Sequence, residues 1–171
     1  SRASLGLMTT PLTVAGAVLA DLDVELDATR AVLGCLRPAL WDAPTYPDAW
    51  TIGQLARHLV EVVYWLETVV AADRFDVTSR PPPERDAVDG PAALIERFDV
   101  LAASVRAGAS KLDDAAMAAP WSLVQGDVVL QTLPRHIALR RACISHMIHH
   151  RAQLSAWLRA QGDVVPEIYP G

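Results

Sequence analysis

The sequence predicts an all-α fold, a four-helix bundle with long connections. Three observations support this prediction. Apolar residues recur three or four positions apart in four long segments, start and stop signals bound these segments, and proline-rich stretches separate them. The chain has 171 residues, of which 51% are hydrophobic and 20% charged, so it is long enough to bury one core. Helices with an apolar stripe bury that stripe against one another, which favours a bundle.

The first predicted helix runs from about Thr13 to Leu40, where apolar residues keep the helical spacing. The dipeptide Thr10–Pro11 before it is a typical start signal. The stretch WDAPTYPDAW, residues 41–50, contains two prolines and is therefore predicted to be a loop.

The second predicted helix opens at Thr51 and runs to about Ala72. Thr51 and Gln54 have the spacing of a capping box, in which each side chain accepts a hydrogen bond from the other residue's backbone N–H. A polar connector, residues 73–90, follows. Its run Pro81–Pro83 cannot lie inside a helix, because proline lacks the N–H that the helix needs.

The third predicted helix starts at Gly90–Pro91 and runs to about Leu112. The stretch WSLVQGDVVLQ, residues 121–131, alternates around Gly126–Asp127, which indicates a short β-hairpin or an extended excursion. The last predicted helix follows Pro134, runs to about Gln161 and stops at Gly162.

The single predicted domain spans residues 8–171. Met8 is a candidate initiator, in which case residues 1–7 lie upstream of the natural start. The opening stretch has no long apolar run and no convincing cleavage site, so we expect no signal peptide. Cys35 and Cys143 lie far apart without a CxxC partner, which fits core residues in a reduced cytoplasm better than a disulfide framework.

The charge balance argues against a general affinity for nucleic acid. The net charge is −5 and the chain has one lysine, whereas phosphate binding depends on clustered lysine and arginine. Arg135, Arg140 and Arg141 form a small basic patch, which we interpret as a solvated helix face. No apolar run approaches the ~20 residues that span a bilayer. We therefore expect a small-molecule substrate, and neither nucleic acid nor membrane, as a partner.

Three of the five histidines fall within ISHMIHHRAQL, residues 144–154. At about 100° per residue, His150 lies within the apolar stripe of the last helix and His146 lies beside it, one turn earlier. His149 points sideways. Two histidines at i and i+4 can converge on one ion, as they do in HExxH helices. His146 and His150 are therefore candidate metal ligands, and His149 is not.

His58 in the second helix is the third candidate ligand, because it lies beside the apolar stripe of that helix. Three nitrogen ligands leave a fourth position for water or substrate, which is the pattern of catalytic sites. Neutral imidazole suits Zn²⁺, Ni²⁺, Cu²⁺ or Fe²⁺, and the spacing does not choose between them, although Zn²⁺ and Ni²⁺ are the first expectations. Rings more than about 7 Å apart would exclude such a site. The alternative is that the histidines are hydrogen-bonded core residues.

The two stretches that carry the histidines resemble the DinB-like family of small metal-binding bundles, also called DinB/YfiT-like. The family pattern is W-[ST]-x-x-x-[LI]-x-x-H in the second helix and H-x-x-x-H-R-x-Q-[LI]-x-x-x-L-R-x-x-G in the last. Helix order and length resemble the family over nearly the whole chain. The matching residues are Trp50, Thr51, Leu55 and His58 in the first stretch, and His146, His150, Arg151, Gln153, Leu154, Leu158, Arg159 and Gly162 in the second.

This resemblance implies a four-helix bundle, usually homodimeric, with a divalent metal on His58, His146 and His150. Characterised members of the wider superfamily resemble thiol S-transferases that use bacillithiol, and mycothiol-dependent isomerases. The implied function is therefore a metal-dependent transfer of a low-molecular-weight thiol to an electrophilic substrate. The alternatives are a non-catalytic metal-binding stress-response protein, a metal-dependent hydrolase of a small molecule, and a structural bundle without a metal.

Three further residues are candidates for the site, each with a structural alternative. Glu61, one turn after His58, could orient a ligand or transfer a proton, or it is a solvated surface residue. Arg151 could hold a substrate carboxylate, or it is an exposed helix arginine. Cys143 could place a sulfur near the metal, and we favour simple core packing for it.

A homodimer is also expected from composition. Large apolar side chains, the tryptophans at 41, 65, 121 and 157 above all, add more apolar surface than a small bundle readily hides. The predicted assembly is a two-fold dimer that uses helix faces.

Overall fold

The computed structural model describes residues 13–47, 49–78 and 88–169. Within them, three long helices and one composite helical segment form a bundle, joined by a short helix and a 3₁₀ turn at Pro38–Leu40. The helices are α1 (Val14–Leu33), α2 (Ile52–Ala71), α3 (Pro91–Ala109), α4 (Asp114–Ala118), α5 (Arg135–Ala138) and α6 (Ser145–Ala160). Helix α5 continues into α6 through a π-helical segment, Leu139–Ile144. The predicted helical bundle is confirmed.

Helix α2 packs against both α3 and α6, and α1 packs against the same two helices. The core therefore lies between the four long helical segments, and α2 is the most buried of them. The predicted capping box of Thr51 and Gln54 is present, with both hydrogen bonds made. Gly53 lies between these two residues, and a Cβ there would lie 2.8 Å from the Trp41 ring. Only glycine therefore allows the loop to pack this closely.

The predicted hairpin is also present and belongs to a three-stranded sheet. Strands β2 (Pro120–Gln125) and β3 (Val128–Pro134) pair antiparallel around Gly126, whose φ of 57° suits glycine. Strand β1 (Arg74–Asp76) adds to β2 in parallel. The sequence analysis placed β1 in a polar connector, because three residues are too few for a strand pattern to show.

The first helix is shorter than predicted. It ends at Leu33 rather than Leu40, because Pro38 has no N–H to donate and forces Arg37 into extended backbone, with φ −105° and ψ 136°. The third helix ends at Ala109 rather than near residue 112. The last helical segment ends at Ala160, two residues before Gly162, whose φ is 84°. Met8, Thr10–Pro11 and Pro81–Pro83 lie outside the described residues.

The basic patch was predicted wrongly at one position. Arg140 and Arg141 are exposed, whereas Arg135 is buried and 4% exposed. The Arg135 guanidinium donates to the carbonyls of Val69 and Ala72, the latter at 2.7 Å, and pairs with Asp73. It satisfies carbonyl groups that the end of α2 leaves without a helical partner.

The tryptophans do not supply the large exposed apolar surface that was expected to favour a dimer. Trp41 and Trp121 are 7% and 6% exposed and belong to the core of the single chain, and Trp65 and Trp157 are half-buried against it. Within the described residues, no helix has the length and apolar character needed to cross a membrane.

Candidate metal centre

Three histidines meet between helices α2 and α6. The Nε2 atom of His146 lies 3.3 Å from Nε2 of His58 and 2.8 Å from Nε2 of His150. The ring centroids are 4.6–5.2 Å apart, well inside the separation that would have excluded a site. One nitrogen from each ring lies within 4.8 Å of the other two. The i, i+4 pair on one helix and the single histidine on the other therefore face a common point.

The outer nitrogens of two rings are held by side chains on their own helices. Nδ1 of His58 lies 3.0 Å from Oε2 of Glu61, three residues on. Nδ1 of His150 lies 2.8 Å from Oε1 of Gln153, also three residues on. Both oxygens are acceptors, so each Nδ1 carries the proton and each Nε2 presents a lone pair to the common point. A metal-binding histidine is oriented in this way in many metalloproteins.

Hydrogen bonds among the three histidines alone do not satisfy this arrangement. His58 and His150 both present Nε2 lone pairs to His146, and the one proton that His146 Nε2 can carry reaches only one of them. Full protonation is disfavoured, because burial and the neighbouring histidines lower the pKa of His146, and burial lowers the pKa of His150 to about 4. A cation at the common point accepts all three lone pairs. The donor set therefore fits a divalent transition metal.

Two tryptophans flank the cluster. Trp50 contacts the rings of His58 and His150, with centroids 5.0 and 6.2 Å away. Trp65 contacts His58 and His146, with centroids 5.9 and 5.6 Å away. These indoles restrict the imidazole rings and cover part of the cluster, so water reaches it through limited openings.

Two cavities reach the cluster. One, of about 360 Å³, is lined at its inner end by His150 and otherwise by Thr45, Tyr46, Ala49, Trp50, Leu55, Gln153 and Trp157. We call it the His150 cavity. The other, of about 380 Å³, has His146 in its wall, and we call it the His146 cavity; it is lined further by Trp65, Thr68, Val69, Phe75, Val77, Trp121, Leu123, Gln131, Ala142 and Cys143.

The π-helical segment Leu139–Ile144 directly precedes His146 on the chain. A π-helical turn is wider than an α-helical one and occurs frequently at functional sites. Here it supplies Ala142 and Cys143 to the wall of the His146 cavity. This segment was not predicted from the sequence, because the apolar spacing of a π-helical turn does not differ recognisably from that of an α-helix.

The structure places the other candidate residues in different surroundings. Glu61 is 3% exposed and bonded to His58, so the alternative of a solvated surface residue is wrong. His149 is exposed and lies outside the cluster. Cys143 is 1% exposed within the core, where burial raises the pKa of its thiol to about 12. Cys143 therefore stays a neutral thiol at physiological pH.

Both predictions for Arg151 are wrong, because this arginine is neither exposed nor available to a substrate. It is 3% exposed and pairs with the Glu25 carboxylate of α1 at 2.5 Å. It also donates to the Tyr169 hydroxyl at 2.6 Å, which in turn donates to Glu25 at 2.6 Å. This closed set of bonds holds α1, α6 and the C-terminal tail together, and Arg151 follows His150 by a single residue.

The helical bundle has the DinB-like fold, as comparisons with solved structures show. A DinB-like protein from Bacillus cereus ATCC 10987 superposes with a TM-score of 0.70 at 20% identity, covering 89% of this chain and 95% of its own. A DinB-like protein from Bacillus subtilis superposes with a TM-score of 0.71 at 13% identity, covering 89% and 97%. The resemblance drawn from the sequence is confirmed.

The family follows from a sequence comparison. The model of the mycothiol maleylpyruvate isomerase N-terminal domain family matches residues 22–152, and the chain belongs to this family. The matched range contains all three histidines of the cluster. No curated protein matches the chain.

Proposed function

We propose that this protein is a metal-dependent enzyme that uses a low-molecular-weight thiol as a nucleophile on an electrophilic small molecule. The observation that carries the proposal is the meeting of three histidine Nε2 atoms beside two cavities. The name of the matching family, which joins a thiol to an isomerase activity, supports thiol chemistry.

Different residues of the chain would bind the metal, orient its ligands and limit the access of water. His58, His146 and His150 would hold the ion, with Zn²⁺ and Ni²⁺ as the first candidates. When bound, a divalent metal with an open position lowers the pKa of a thiol or water and so makes a nucleophile available at neutral pH. Glu61 and Gln153 orient the rings of His58 and His150, and the two indoles limit the access of water.

The covalent step is the same in either form of the reaction at its start. The thiol proton passes to solvent, and a sulfur lone pair forms a bond to an electrophilic carbon. In a transferase, the bond to the leaving group breaks and the leaving group takes the electron pair. In an isomerase, sulfur adds to a conjugated double bond, rotation follows, and elimination restores both the double bond and the thiol.

The test compares two neighbouring histidines. Wild type, His150→Ala and His149→Ala are prepared without a nickel column, analysed for bound metal, and assayed for conjugation of bacterial thiols to model electrophiles. His150→Ala should lose metal and at least about a hundredfold in rate, since a Lewis acid supplies several kcal/mol to such a step. His149→Ala should keep both, because His149 lies outside the cluster.

Three outcomes would decide against the proposal. Equal turnover by wild type and His150→Ala would show that the metal is not catalytic. A metal that binds stoichiometrically without turnover, across several thiols and electrophiles, would favour the non-catalytic metal-binding protein. Release of an acid or alcohol without any thiol would favour the hydrolase.

We also propose a two-fold homodimer, an expectation that comes from the resemblance to the DinB-like family. Sedimentation equilibrium at micromolar concentration should give twice the chain mass. A mass near 18.5 kDa would contradict the proposal.

A further inference from the structure

Among the described residues, those that line the His146 cavity are mostly apolar and include no acidic residue, arginine or lysine. Its wall is made mainly of aromatic and aliphatic side chains, with Trp65 and Trp121 the largest and Phe75 and Leu123 among the rest. A volume of about 380 Å³ lies in the range of small-molecule sites. The cavity opens beside His146, so a molecule bound in it lies next to the candidate metal centre.

The polar groups of this cavity are few and neutral. The Thr68 hydroxyl already donates to the carbonyl of Trp65 at 2.8 Å. Burial keeps the Cys143 thiol protonated. The remaining polar groups among the lining side chains besides His146 are the amide of Gln131, on the exposed strand β3, and the indole N–H of Trp121, which is buried without a hydrogen-bond partner. Among the described residues, no arginine or lysine lines the cavity, so in the metal-free protein a carboxylate that entered it would lose water without gaining a cation.

The His150 cavity has a different character. It carries the hydroxyls of Thr45 and Tyr46 and the amide of Gln153 beside two indoles. Polar and aromatic groups together suit a molecule with a polar body. The two cavities therefore divide the surroundings of the histidines into a polar side and an apolar side.

We infer that the His146 cavity binds the electrophile, and that this electrophile is an uncharged, apolar molecule of about the size of one aromatic ring rather than a dicarboxylate. This inference rests on the proposed function, because it assigns the electrophile of that reaction to one of the two cavities. It also separates this chain from the substrate named in its family's description, since maleylpyruvate carries two carboxylates.

Binding is tested with two unreactive probes that differ in charge and share their size, 4-nitrotoluene and 4-methylbenzoate. Ligand-observed NMR titrations are made on the protein as purified and after chelation. After chelation 4-nitrotoluene should bind at least about tenfold more tightly, because the carboxylate is desolvated in an apolar cavity that then holds no cation. The protein as purified measures how far a bound metal offsets this cost. Equal binding of the probes after chelation, or tighter binding of 4-methylbenzoate in that state, would overturn the inference.

A pair of tryptophan substitutions on the same helical segment locates the binding. Ala142 is exposed at the wall of the cavity, whereas Ala152 is exposed and lines neither cavity. Ala142→Trp should fill part of the cavity and weaken 4-nitrotoluene at least about tenfold, and Ala152→Trp should leave it unchanged. Metal content and thermal unfolding should be alike in the two variants. Unchanged binding in Ala142→Trp would place the probe elsewhere and overturn the inference.

A charge substitution gives an independent measurement. Gln131→Arg adds a cation at an exposed strand position on the cavity wall and should strengthen 4-methylbenzoate up to roughly fivefold, with no gain for 4-nitrotoluene. The same change for both probes would count against the assignment of the cavity.

Turnover separates this inference from the proposed function. The substrate for this arm is 4-nitrobenzyl chloride, in which sulfur forms a bond to the benzylic carbon as chloride leaves with the electron pair. Selective binding of 4-nitrotoluene without turnover by any thiol would leave the cavity assignment standing and reject the enzyme. Turnover that is equally fast in wild type and Ala142→Trp would keep the enzyme and reject the cavity assignment.

Discussion

His150 and Arg151 are adjacent on α6, and both belong to stretches that match the family pattern, yet the structure gives them opposite roles. His150 faces two other imidazoles whose inner nitrogens compete for too few protons. Arg151 faces a carboxylate, a hydroxyl and a carbonyl that together satisfy its charge. One cluster presents nitrogen lone pairs that its own side chains do not satisfy, and the other contains the guanidinium that pairs with its carboxylate.

A ligand site and a structural contact differ in whether the side chains of the cluster satisfy one another's hydrogen bonds. Polar groups inside a protein are normally paired, because an unpaired one costs free energy. The Glu25–Arg151–Tyr169 cluster obeys this rule with the residues of the chain alone. In the histidine cluster, the side chains alone leave an inner nitrogen lone pair without a donor, and a bound cation would satisfy all three nitrogens at once.

The largest expected effect on folding comes from breaking the satisfied cluster. Arg151→Met should lower the free energy of unfolding by about 3–5 kcal/mol, because it leaves the Glu25 carboxylate buried without its cationic partner, with only the Tyr169 hydroxyl donating to it. Urea titration of the metal-free protein measures the loss. The double variant Arg151→Met/Glu25→Leu is the control and should recover most of it. If the double variant is as unstable as the single one, the ion pair is not the reason.

The corresponding change in the histidine cluster should affect the metal rather than the fold. His146→Ala should weaken metal binding at least about a hundredfold, since it removes one of three ligands and the one that lies between the other two. Competition with a chromogenic chelator measures the affinity. The metal-free variant should unfold near the wild-type urea midpoint. A large loss of metal-free stability would mean that the histidines serve the core.

Glu61 tests the outer contacts of the cluster. Glu61→Gln keeps the size of the side chain and removes the charge beside His58, and metal affinity should fall by about 10–100-fold. Glu67→Gln, on the same helix and away from the histidines, is the matched control and should not change the affinity. An unchanged affinity in Glu61→Gln would show that its contact with His58 does not support a ligand.

Tyr169→Phe is a milder break in the satisfied cluster. It removes the hydroxyl that bridges Arg151 and Glu25, and the free energy of unfolding should fall by about 1 kcal/mol, because the ring is partly exposed and water can replace the hydroxyl. Metal affinity should stay at the wild-type value. A parallel loss of metal affinity would show that the two clusters are coupled through α6.

The last expected effect is a dependence of the stability of the metal-free protein on pH. Burial lowers the pKa of His150 from 6.5 to about 4, so between these values the unfolded chain binds more protons than the folded one. Stability should therefore fall as the pH drops from 6.5 towards 4. His150→Gln should show a shallower fall over the same window, measured by urea midpoints. Identical slopes would exclude His150 as the source.

Local patterns determined much of this fold. Apolar spacing, the Thr51–Gln54 capping box and the Gly126 turn are short-range features, and each appears where it was predicted. The ends of the helices were less predictable. The break before Pro38 follows from local chemistry that the apolar spacing concealed, and strand β1 forms only because β2 offers it a free edge.

The sequence by itself determined which residues are candidates for the metal centre, because the i, i+4 spacing of His146 and His150 and the inward face of His58 are properties of single helices. Only the tertiary structure decided which candidates meet. Helix packing brings α2 to α6 and so unites the three histidines, and it brings α1 to α6 and so commits Arg151 to Glu25. A helix wheel shows the direction of a side chain, but its partner belongs to another element of the fold.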